Sequence, residues 1–206
     1  AGEGYGRVRA VGPVAATTVV GYDDFTTLTP GAVLNARVAP SGGTWATSGA
    51  TTDFIGVANN SVSRSTLSDS GRRYAILGAT NYTDTQVEVY GMSSFWHQLQ
   101  FQMGVIARWV DSNNYLYVMI SSYLPTTVNF GVWQAVAGVQ TQIASANFVP
   151  STNVQYGMRL TAYATGVVIG EVRAGTPTSA PPTVIAMGSS SAVATGGVLA
   201  TGKPGF

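Results

Sequence analysis

QLQFQMGVIARWV-DSNN-YLYVMIS, residues 98–121, is the stretch that decides the fold class. Two long segments rich in β-branched and aromatic residues flank four residues of turn-forming type, Asp111-Ser112-Asn113-Asn114, which predicts an antiparallel hairpin. If Val110 pairs with Tyr115, Arg108 lies opposite Tyr117 and Trp109 opposite Leu116. One face then carries Met103, Val105, Ala107, Trp109, Leu116, Val118 and Ile120, apolar throughout and therefore core. The other carries Gln102, Ile106, Arg108, Tyr115, Tyr117 and Met119.

The same rhythm runs outward from the hairpin. Residues 83–90, TDTQVEVY, alternate polar and apolar, and residues 128–134, 140–148, 156–163 and 167–173 continue the pattern, with Thr165-Gly166 as a tight turn. No segment holds a helical apolar stripe between caps. Many strands joined by short turns predict an all-β, two-sheet antiparallel sandwich. Residues 1–20 read as one strand over 5–11 and a Gly-Pro break, a linker or the end of a preceding module whose YGRVRAVG resembles a fibronectin type III strand. The domain proper is expected over 21–206, and residues 174–197, with Pro181-Pro182, as a long loop or edge excursion.

Composition narrows the function classes. Charged residues are 9% of the 206, against about 25% in ordinary soluble domains, so solubility rests on Thr, Ser, Asn and Gln, as suits a chain packed in an assembly or outside a cell. A net charge of +1 gives no electrostatic case for a nucleic-acid or anionic-membrane partner. No apolar run reaches the ~18–20 residues of a membrane span. There is no cysteine, which leaves the redox compartment open. The start at Ala1 rather than methionine leads to the expectation of a piece of a longer protein.

The order of segments along residues 22–206 carries a resemblance: DDF at 23–25, SGGTWATSG at 41–49, RRYAILG at 72–78, TDTQVEVY at 83–90, GVIARWVDSNNYLYVMIS at 104–121, YGMRLTAYATGVVIGEV at 156–172 and TGKPGF at 201–206. It resembles the concanavalin-A-like, laminin-G-like jelly-roll domains, in the versions found in minor tail proteins of phages that infect actinobacteria. That resemblance implies a jelly-roll sandwich in a virion tail tip, a non-catalytic structural or adhesion module present in several copies, with other tail proteins and host cell-wall glycan as partners. It also implies a final strand after the GKPGF turn, which this chain would lack. A carbohydrate-binding module of a secreted bacterial protein is the alternative.

Several residues are candidates for binding. Arg108 among Tyr115 and Tyr117 suits sugars, since rings stack on pyranose C–H faces and a guanidinium donates to hydroxyls. Trp96, with Phe95 and His97, is expected in a loop as an interaction site or folded back on the sandwich. Trp45 reads as a core anchor. Asp23 and Asp24 are candidate oxygen ligands for a structural calcium, the one cofactor considered. Catalysis has little footing. His97 is the only histidine and no nucleophile elbow is present, while Asp84 and Glu88 lie ~13 Å apart along one strand, too far for a glycosidase pair. The expectation is that the chain is not an enzyme.

Overall fold

Alternating sequence forms sixteen strands among the described residues of the computed structural model, which are 4–5, 7–11, 19–48, 53–57, 61–64, 72–92, 101–124, 127–149, 156–174, 183–191, 193 and 197–206. They are β1 (Gly4–Tyr5), β2 (Arg7–Val11), β3 (Val19–Asp23), β4 (Trp45–Thr47), β5 (Phe54–Val57), β6 (Ser61–Arg64), β7 (Ala75–Leu77) and β8 (Thr85–Met92). Then come β9 (Phe101–Asp111), β10 (Asn114–Leu124), β11 (Thr127–Val136), β12 (Val139–Phe148), β13 (Tyr156–Ala162), β14 (Val168–Ala174), β15 (Thr183–Ser190) and β16 (Lys203–Gly205). No helix occurs among these residues, so none is long and apolar enough to cross a membrane.

Two large antiparallel sheets form the body, ordered β12-β11-β10-β9-β16-β7-β4 and β15-β14-β13-β8-β2-β3, with β1-β6-β5 as a smaller third. The core lies between the large sheets: Val105, Leu116, Val118 and Phe130 face Val87, Met158, Leu160 and Val172. Gly170 of β14 sets how closely they meet, because a Cβ there would lie 2.7 Å from Val132 and 2.9 Å from Phe130 of β11. At one end Trp45 packs on Phe206 and Phe25, ring centroids 5.2 and 6.1 Å apart, which makes it the core anchor that the sequence predicts.

Two expectations change, and a third is narrowed to one of its alternatives. Residues 7–11, assigned to a linker or preceding module, form β2 and pair with both β8 and β3 inside the six-stranded sheet. Lys203–Gly205, read as a turn before a missing strand, is itself a strand between β9 and β7. It fits because Gly202 lies against the Arg108 backbone, where a Cβ would come within 2.7 Å of two main-chain carbons. Within 174–197, Thr183–Ser190 forms an edge strand, the excursion that proline placement allows.

Candidate functional site: the outer face of the seven-stranded sheet

The hairpin forms where the sequence places it, but its register shifts twice. Asn114 pairs with Asp111, Tyr115 with Trp109, Leu116 with Arg108 and Tyr117 with Ile106, so Val110 and Ala107 are each an extra residue. The Asp111 carboxylate tightens the turn by accepting from the Asn113 backbone N–H at 2.7 Å and Asn114 Nδ2 at 2.9 Å. A bulge places two consecutive residues against one partner and re-aims their side chains. The stretch between the two bulges therefore exchanges faces. Arg108 turns inward beside Leu116, and Trp109 turns outward beside Tyr115.

This corrects the expectation that Arg108 joins Tyr115 and Tyr117. Its side chain is 1% exposed and donates to three main-chain carbonyls: Leu199 at 2.7 Å, Thr83 at 2.6 Å and Tyr163 at 2.8 Å. Burial lowers its pKa from the ordinary arginine value. Arg108 clasps three loops and presents nothing to a ligand.

The outer face is nevertheless an aromatic row. Tyr74 lies 4.5 Å from Trp109 and 5.1 Å from Tyr115, Tyr115 is 5.0 Å from Tyr117, and Tyr117 stacks on Trp133 at 6.4 Å and 17°. Tyr115 and Tyr117 are buried within it, while Trp109, Trp133 and Tyr74 are partly exposed. Gly131 makes room for the Trp133 indole. A Cβ there would collide with Trp133 Nε1 and lie 2.6 Å from Gln142 Nε2. That indole nitrogen is buried without a hydrogen-bond partner.

The cation on this face is Arg72, which the sequence reading did not single out, and not Arg108. Its Nη1 donates to the Tyr117 hydroxyl at 2.9 Å and the Tyr115 hydroxyl at 3.3 Å, with its guanidinium carbon 5.3 Å from the Tyr117 ring centre. Tyr74 donates to Tyr115 at 2.8 Å, and Tyr117 donates to Gln140 Oε1 at 3.1 Å. Burial pushes the Tyr117 phenol up to about 12 against the pull of Arg72. Burial also raises Tyr74, with its bond to Tyr115 adding to the effect. Desolvation works against the Arg72 charge, yet its hydrogen bonds to the Tyr115 and Tyr117 hydroxyls leave its pKa raised. Neutral phenols under a fixed cation make a row of flat apolar rings with polar tips, the chemistry that suits a pyranose.

Asp23 and Asp24, the expected calcium ligands, are both engaged by donors of the chain itself. Asp23 is fully buried, and both its oxygens accept hydrogen bonds: from Arg37 Nη2 and Nε at 2.9 Å each, the Trp45 indole at 2.9 Å and the Phe25 N–H at 2.9 Å. A guanidinium occupies the place foreseen for a cation. Asp24 closes a local turn, accepting from the Thr26 N–H at 3.1 Å and hydroxyl at 2.8 Å. No group of three or more metal-ligating side chains occurs among the described residues.

Sequence reasoning missed a charge ladder on the other sheet. Glu88 of β8 pairs with Arg159 of β13, which reaches Glu171 of β14 at 3.3 Å; Arg173 lies 3.9 Å from the same Glu171 oxygen. Its signal was present as isolated charges in otherwise largely apolar strands, but their shared register depends on two strand pairings, β8 with β13 and β13 with β14. Phe95, Trp96 and His97 lie outside the described residues. In comparisons with protein-family models, curated proteins and solved structures, nothing matched this chain.

Proposed function

We propose that this chain is a non-catalytic, jelly-roll structural and adhesion module of a phage tail-tip protein, and that it contacts host cell-surface glycan through the outer face of its seven-stranded sheet. The carrying observation is the aromatic row, with Trp109 and Trp133 partly exposed on either side of the Arg72–Tyr115–Tyr117–Gln140 polar cluster. Sugar rings lie flat on indoles, and guanidinium and amide groups donate to their hydroxyls. The tail assignment rests on the resemblance in segment order and on a 9% charge content suited to packing in an assembly. The non-catalytic reading is supported by acids already committed to partners: Asp23 to Arg37, and Glu88 and Glu171 to Arg159.

The test is capture of the chain, displayed multivalently, on actinobacterial cell walls and a glycan array. Trp109→Ala and Trp133→Ala are each expected to weaken binding tenfold or more, or about 1.4 kcal/mol, while leaving the fold intact. Undiminished binding by both variants would move the contact elsewhere. No capture of the multivalent wild type would leave a structural spacer.

A further inference from the structure

The two flanks of the sandwich are finished differently. On one flank the edge strands β3 and β4 are both bordered by the segment 36–44. Tyr22 and Ser41 exchange main-chain hydrogen bonds at 3.0 and 3.3 Å, Trp45 donates to Arg37 O at 2.9 Å, and Ala36 donates to Trp45 O at 2.8 Å. On the other flank β12 ends the seven-stranded sheet and β15 ends the six-stranded one, with no further strand paired to either among the described residues. These edges lie together: a Cβ on Gly188 of β15 would stand 3.2 Å from the Ala144 Cβ of β12.

Exposed sheet edges are normally protected by charge, proline or brevity. Here VQTQIASANF and TVIAMGSS hold neither a charged residue nor a proline, and β12 is ten residues long. Four of the nine exposed large apolar side chains among the described residues border these strands: Val139 at 69%, Val149 at 71%, Met187 at 58% and Val184 at 41%. The flank combines strand edges that no other described strand pairs with apolar surface, and neither strand carries a charge that would repel an identical strand.

We propose that Val139–Phe148 pairs antiparallel with the same strand of a second copy across a twofold axis, joining two seven-stranded sheets into one. An antiparallel pair of identical strands is self-complementary, as a twofold interface requires. The uncharged edge brings no like charges together. The ten residues of β12 span ~34 Å, and a flank of that length one sandwich thick offers roughly 500 Å² per copy, or about 1,000 Å² in all, where specific interfaces begin. The inference is independent of the glycan reading.

Sedimentation of the whole chain over a dilution series tests it, beside a Thr141→Lys/Ser145→Lys variant at two exposed edge positions. The expected result is a concentration-dependent species of twice 21.3 kDa that the variant loses, with unchanged Tm. Amide exchange in β12 should also quicken on dilution of the wild type. A chain monomeric at every concentration overturns the proposal, as does a dimer that survives both lysines. A pairing that forms only with a different protein overturns it too.

Discussion

Asp23→Ala is expected to lower the unfolding free energy by about 3–5 kcal/mol, since removing one partner of a buried pair strands the other. The carboxylate is fully buried and accepts from Arg37, the Trp45 indole and the Phe25 backbone. Without it, the Arg37 guanidinium loses its carboxylate and keeps only the Thr27 hydroxyl, while the buried Trp45 indole N–H loses its acceptor. Phe25, which holds a left-handed backbone conformation at φ 58, loses the bond that fixes it. The same residues pin Trp45 against Phe206, so the damage reaches the end of the core. For a domain of this size the loss corresponds to a fall in Tm of ~10 °C. Thermal unfolding measures it. A fall of only ~2 °C would show that the Arg37 pair contributes no more than a surface ion pair.

Arg108→Met is expected to destabilise by about 3 kcal/mol, although it removes a buried charge. Three carbonyls, of Leu199, Thr83 and Tyr163, would lose their donor, and an unsatisfied buried group costs about 1–3 kcal/mol. Relief of guanidinium desolvation offsets part of that sum. Arg108→Lys should recover only a fraction, because an ammonium is a point donor and the three carbonyls come from separate loops. Denaturant titration of both variants checks the ranking. Equal stability of Met and wild type would mean that the clasp contributes nothing net. The glycan contact proposed for the aromatic face should be the same in both variants as long as they remain folded, because Arg108 faces the core.

The contrast between Arg108 and Arg72 shows what the sequence could carry. The hairpin, the inward set Val105, Leu116, Val118 and Ile120, and the outward placement of Tyr115, Tyr117 and Met119 all follow from period-two alternation and a recognisable turn. The exchange of Arg108 and Trp109 does not, because a bulge shifts register without a sequence mark of its own. Arg72 and Tyr74 reach the aromatic face from more than forty positions away, through a pairing order that puts β16 and β7 beside β9. Strand order of this kind depends on the packing of the whole chain. Asp23 was legible as an acid with a function; its partner, Arg37, fourteen residues on, was not. The difference is large: the pair is a cross-link where the sequence reading expects a metal ligand.

The most direct test of the glycan contact proposed for the aromatic face is a titration of the chain with fragments of actinobacterial cell-wall polysaccharide, followed through its tryptophan indole N–H resonances. The Trp133 indole has no partner, and Trp109 is partly exposed, whereas the Trp45 indole is held by Asp23 in the core. Saturable shifts of Trp109 and Trp133, with Trp45 unmoved, are the result predicted. A titration that leaves both Trp109 and Trp133 in place, or moves Trp45 alone, would contradict the account.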